Sequence, residues 1–213
     1  AYYNLYGYLD VGYGVRTEKD GKYAYLRKAA DLGSREAQYT VAEMLADIED
    51  SEETQEAFKY RLKLVKQLRS CASEQGLGEV SSNLGISLQM DKKYQEALKV
   101  FHQGVKNGDS ISALVLSHAF ESEVQADNLN FLDVSPDDER VKRYHMISSY
   151  LSRYDYLQPK VPDLDDIVPL PPAKLPKWDG KIAFQRWYEG EAPPKPSEAL
   201  MQKLANQAGL RVD

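Results

Sequence analysis

Three histidines, one cysteine and fifteen tyrosines carry most of the chemical potential of this sequence. His102, His118 and His145 stand 16 and 27 residues apart, so no two have the helix-face spacing of metal ligands. His118 and Glu121 are three apart and can meet, but two ligands do not make a metal site. The histidines therefore read as structural. Cys71 has no histidine near it in sequence and sits beside Leu68 and Ala72. A reactive thiolate needs an open, electropositive setting, so the expectation is a buried, inert thiol. No Gly-x-Ser-x-Gly nucleophile elbow occurs, and Gly12-Tyr13-Gly14 alone is weak evidence for phosphate binding. These residues point to no catalytic set, no metal and no cofactor.

Charge and tyrosine are less evenly spread. Glu43 to Glu56 contains seven acidic residues and no basic one. Lys59, Arg61, Lys63, Lys66 and Arg69 follow before the next acid. Acids ahead of bases suit the dipole of a single helix, and the same acids could form a lip facing a basic partner. Eight of the tyrosines fall within the first 39 residues. Tyrosine is a normal packing residue of helical repeats and also a frequent interface anchor, because it buries area while keeping a polar tip.

The chain has 213 residues and a formal net charge of −6. A nucleic-acid binder would normally present a basic field, so that class is disfavoured. The longest nearly apolar run, Ile111 to Phe120, is far short of the ~20 residues that span a bilayer. One cysteine excludes an internal disulfide framework. The chain opens on Ala1-Tyr2-Tyr3, already inside a repeat, and the expectation is that an export signal or lipid anchor lies upstream.

These side chains must be placed by helices. Through residues 1–156 apolar residues recur three and four apart, as in Ala37, Val41, Met44, Leu45 and Ile48. Gly33 fits a left-handed C-terminal cap, Asp50 with Glu53 has capping-box spacing, and Ser135-Pro136 fits a helix start. A quartet repeats: Ala1, Leu5, Tyr6, Leu9; then Ala37, Val41, Ala42, Leu45; then Val80, Leu84, Gly85, Leu88; then Ser112, Leu116, Ser117, Phe120. Its third position should be small because a neighbouring helix crosses there. The copies lie 36, 43 and 32 residues apart, and the long step is ascribed to the charged stretch Glu49 to Gln55. Each first helix is followed by a second one, ending near Gly33, Gly76 and Gly108. A single pair cannot bury its apolar face, so pairs must stack.

The run Gly12-Tyr13-Gly14-Val15, Tyr25-Leu26-Arg27-Lys28-Ala29-Ala30-Asp31-Leu32-Gly33, Ala37-Gln38-Tyr39 resembles the Sel-one-like repeat, a relative of the tetratricopeptide repeat. The later copies lack the Gly-x-Gly-Val loop. The resemblance covers roughly residues 1–122 and implies an all-α, helix-pair solenoid whose first helices line a concave surface. The stripe beside the core quartet then holds Tyr3, Tyr39, Ser82 and Leu114, with Gly7, Glu43, Ile86 and His118 four residues further on. Tyr3, Tyr39, Glu43 and His118 are the candidates for partner contact.

Beyond residue 122 a polar loop over 123–135 leads to a helix over 136–157. Six prolines between Pro159 and Pro176 then predict an extended segment. Trp178-Asp179-Gly180 reads as a turn, and Ser197 to Ala208 as a last helix. Three domains or parts follow: repeats at 1–122, a loop and helix at 123–157, and a proline-rich cap with its terminal helix at 158–213. Leu170-Pro171-Pro172-Ala173-Lys174-Leu175-Pro176-Lys177-Trp178-Asp179-Gly180 resembles the C-terminal cap of bacterial Sel-one-like proteins. Several of these are immunity proteins encoded beside type VI secretion lipases, notably phospholipase D-type ones. That resemblance implies a non-enzymatic periplasmic protein whose partner is a secreted phospholipase effector, with its active site occluded on binding. A general adaptor of the same fold in the bacterial envelope is the alternative.

Overall fold

The computed structural model describes residues 1–14, 20–50, 52–122, 125, 128–192 and 194–210. Val15 of the glycine loop and part of the 123–135 loop lie outside them. Among the described residues there are helices and no strands. The first four pairs are α1 (Tyr2–Asp10) with α2 (Gly21–Asp31), α3 (Arg35–Ala46) with α4 (Gln55–Glu74), α5 (Gly78–Met90) with α6 (Tyr94–Lys106), and α7 (Ser110–Ala119) with α8 (Asp138–Arg153). Consecutive helices pack on one another, and α4 also meets α6 while α5 meets α7. The result is an all-α stack of helix pairs. A 3-10 turn (Asp155–Leu157), α9 (Leu164–Ile167), α10 (Ala183–Glu189) and α11 (Glu198–Gln207) complete the chain.

The small third position of the quartet has a direct cause. A methyl on Gly85 would come within 2.6 Å of the Phe101 ring of α6, so only glycine admits that ring. In the next copy Ser117 is buried, and its hydroxyl donates to the Val141 carbonyl of α8. Second helices end alike. Gly33, Gly76 and Gly108 all hold positive φ, and the amide after each reaches back to the carbonyl five residues earlier.

Several local expectations are corrected. Thr54, not Asp50, caps α4, its side chain accepting from the Ala57 amide; Glu53 turns away to Arg61. Asp137, not Ser135, caps α8, so Pro136 lies before the helix, which ends at Arg153. The long repeat step lies in α4 itself, 20 residues against 11 in α2, rather than in the loop before it. Cys71 is exposed, because Ala72 and Ser73 take the inward positions of α4. The proline-rich segment is not extended throughout: between Pro162 and Pro169 the chain makes the short helix α9.

One large core runs from Leu84 to Ile182 and includes Phe101, Leu116, Phe120, Tyr144, Ile147, Leu151, Leu164 and Val168. The expected boundaries after 122 and 157 both fall within it. A second, small core holds Leu26, Ala29, Ala30 and Ala37 with Tyr3, Tyr6 and Val41 against it.

Candidate partner-binding surface

The four predicted residues sit on the first helices of their pairs. Tyr3 of α1 is half-buried, with its hydroxyl 3.3 Å from Thr40 Oγ1 of α3. Tyr39 of α3 accepts from Asn83 Nδ2 of α5 at 3.1 Å. Burial pushes its phenol up, and the nearby Glu43 and Glu79 carboxylates push the same way. Glu43 accepts from Arg69 Nε and Nη2 of α4 at 2.9 and 2.7 Å. His118 of α7 lies 2.8 Å from Glu121. Tyr3, Tyr39 and Glu43 thus each bridge between α3 and a different neighbour, α1, α5 and α4, with no hydrogen bond joining the three to one another among the described residues. Among the described residues no hydrogen bond, ion pair or ring contact joins His118 to them. Thr40, Asn83 and Arg69 hold the three in place; sequence reasoning missed them because their partners lie 26 to 44 residues away.

The same stripe changes character along the stack. Ser82 is buried and its hydroxyl donates to the Glu79 carbonyl. Ile86 and Leu114 are exposed, and Ile86 edges a cleft of about 430 Å³ with Met90, Val115 and Leu129. Gln89 shapes that cleft by donating to the Leu129 and Phe131 carbonyls.

The proline-rich cap is fastened by charge. Arg140 Nη2 donates to the carbonyls of Pro169 and Ala173, and Arg143 Nη1 donates to that of Ile167 at 2.7 Å. Both guanidiniums are buried and stack near rings, Arg140 over Phe120 and Arg143 over Trp178. Lys160 reaches the carbonyls of Gly76 and Asn107, placing a cation at the C-terminal ends of α4 and α6. A methyl on Gly108 would overlap the Pro159 carbonyl, so this glycine supplies both the turn and the clearance for the cap.

His102 is part of the same closure. Its Nδ1 is 3.0 Å from the Tyr144 hydroxyl and its Nε2 is 2.8 Å from Asp165 Oδ1, while Lys106 holds the other carboxylate oxygen at 2.5 Å. Asp165 requires a donor, so the Nε2–H donates to it and Nδ1 accepts from Tyr144. Burial lowers the imidazole pKa and outweighs the opposing pull of Asp165. Burial also holds the Tyr144 phenol far above its usual range. The set ties α6, α8 and α9 together. Among the described residues, no three His, Cys, Asp or Glu side chains gather as a metal site. No described helix is long and apolar enough to cross a membrane.

A further surface carries no sequence prediction. Tyr150, Tyr154 and Tyr156 pack in series with tilted rings, beside a cleft of about 370 Å³ that also takes in Met146, Arg153 and Trp178. The four-residue spacing of Tyr150 and Tyr154 at the end of α8 was the available signal.

Fold and surface together define a helix-pair repeat protein with a clasped C-terminal cap. Residues 112–213 match the sequence model of a family described as a domain of unknown function, DUF6396. Two solved structures are similar, both from Pseudomonas aeruginosa. One is Pseudomonas aeruginosa 5086 (PA5086), at 20% identity and TM-score 0.48, covering 80% of this chain and 74% of that chain. The other is the immunity protein Pa5087, at 20% identity and TM-score 0.49, with the same coverage of each chain. No curated protein matches the sequence.

Proposed function

We propose that this protein is a non-enzymatic immunity protein. It binds a secreted antibacterial lipase, a type VI secretion effector of the phospholipase D type, in the periplasm and occludes its active site. The observation that carries the reading is the Leu170–Gly180 motif, which resembles the cap of Sel-one-like immunity proteins encoded beside such lipases. In this reading the stacked pairs curve into a solenoid, and Tyr3, Tyr39, Glu43 and His118 meet the effector. Physical support comes from preorganisation. Tyr39 and Glu43 are already fixed by Asn83 and Arg69, so little side-chain freedom is lost on docking. Carboxylates on this face complement the basic groups that hold a lipid phosphate, which favours fast, salt-sensitive association.

Co-purification from the native cell with mass spectrometry should recover a phospholipase. Adding the protein to that enzyme at equal concentration should abolish phospholipid hydrolysis. Recovery of no lipase, or hydrolysis by the isolated chain, overturns the proposal. Because Glu43 also steadies α4, the informative variant is Tyr39→Phe with Glu43→Gln, which keeps the packing and removes the polar contacts.

A further inference from the structure

The extra length of α4 has a second effect. At 20 residues it outruns its neighbour α6, which has 13, and a groove of about 660 Å³ opens between them. Leu84 and Leu88 of α5 line it, with Leu62 of α4 and Val100 of α6 beside them. Leu62 is exposed, as is Phe58 one turn earlier on α4. Five lysines border this apolar strip. Lys66 is committed to Asp91, and Lys93 lies 4.0 Å from Glu96. Lys59 and Lys63 on one wall and Lys99 on the other have no carboxylate within 4 Å among the described residues. In a chain of net charge −6, this gathers uncommitted cations around the exposed Leu62, over a floor of buried Leu84 and Leu88.

We infer that the α4–α6 groove is a docking site for an acidic amphipathic helix of a protein partner. Phe58 and Leu62 are four residues apart on α4 and both exposed, so the apolar edge runs at helical spacing and suits side chains at i, i+4 and i+7 of a ligand helix. Ammonium groups on both walls suit glutamates or aspartates flanking such a stripe on both sides. A small free anion would leave Phe58 and Leu62 uncovered, and a neutral apolar helix would leave the lysines without partners. The groove is built from α4, α5 and α6 side chains other than those of the Tyr3–Tyr39–Glu43 bridges, so the inference does not depend on the immunity reading.

The test uses the full chain and a dye-labelled peptide of about 15 residues, long enough to hold helix when docked. The peptide carries leucine at i, i+4, i+7 and i+11 and glutamate on both flanks. Fluorescence anisotropy should show saturable binding that weakens as salt rises. Binding should fall about tenfold or more in K59E/K63E/K99E. Leu62→Glu should weaken it comparably, and a lysine-flanked version of the peptide should not bind. The three lysines are exposed, so the triple variant should keep its helical circular dichroism and melt; it carries the test if the Leu62 variant fails to fold. Absence of saturable binding, or equal affinity in the triple variant, overturns the inference. Binding to phosphatidylglycerol vesicles that the peptide does not displace also overturns it, since the groove would then serve a membrane.

Discussion

The two ends of the stack are built on one pattern and closed in different ways. At the α1–α4 end the core is small and made largely of alanine, with half-buried tyrosines around it. Its helices are joined by polar bridges: Tyr3 to Thr40, Tyr39 to Asn83, Glu43 to Arg69 and Glu53 to Arg61. From α5 onward the core holds aromatic and branched side chains, and a proline-rich strap covers it under two buried arginines. The first end keeps polar groups in view of solvent; the second buries Phe101, Phe120, Tyr144 and their neighbours completely, while Ile86, Met90 and Trp187 stay exposed at its rim. A repeat can thus serve as surface or as foundation, depending on what lies over it.

Two glycines give the largest expected contrast. Gly33 and Gly108 have φ of +85° and +90°, but only Gly108 faces another segment. Gly33→Ala should cost about 1 kcal/mol, the penalty of the left-handed conformation alone. Gly108→Ala should cost about 4 kcal/mol or more, since the Pro159 carbonyl must also move. Equal losses in urea melts would show that the cap is not seated as described.

Arg143→Ala should come next, at about 3 kcal/mol, because the Ile167 carbonyl loses its charged donor within the core. Hydrogen exchange should rise across α9 and leave α2 unchanged. The His102 set sets a smaller, pH-dependent difference. Its folded pKa lies below the ordinary value, so its stabilising effect is full above about pH 6.5 and is lost as pH falls through the folded pKa. The loss is bounded by about 1.4 kcal/mol per pH unit below 6.5. Comparing melts at pH 7.5 and 5.5, His102→Gln should lack this decrement. Arg69→Ala should have the smallest effect, about 1 kcal/mol or less, since its pair with Glu43 is partly open to water. A loss near that of Arg143→Ala would erase the distinction between the two ends.

The helix pairs were readable from the quartet, whose spacing survives because Gly85 and Ser117 must let a neighbour through. The cap glycines were readable for the same reason: few residues tolerate positive φ. The arginine clasp was not. Arg140 and Arg143 stand among charged residues at the start of α8, where a helix usually faces water, and their acceptors are carbonyls 24 to 33 residues away. Cys71 was misplaced by one residue of helical phase, with Ala72 taking the inward position. Of the candidate surface, sequence placed the tyrosines and Glu43 on first helices but gave no sign of Asn83 or Arg69. Those bridges depend on how far each pair rotates against the next, which no local pattern encodes.

The seam at residue 112 has a practical consequence for anyone dissecting this molecule. The stretch matched by the family model begins at α7, yet Phe101 and His102 of α6 complete the wall behind Phe120 and Tyr144. An excised piece starting there would expose aromatic surface and strand Asp165 without its imidazole. A cut before Gly78 instead takes α5 and α6 along as a ready-made plinth, and makes the leading pairs the exchangeable part.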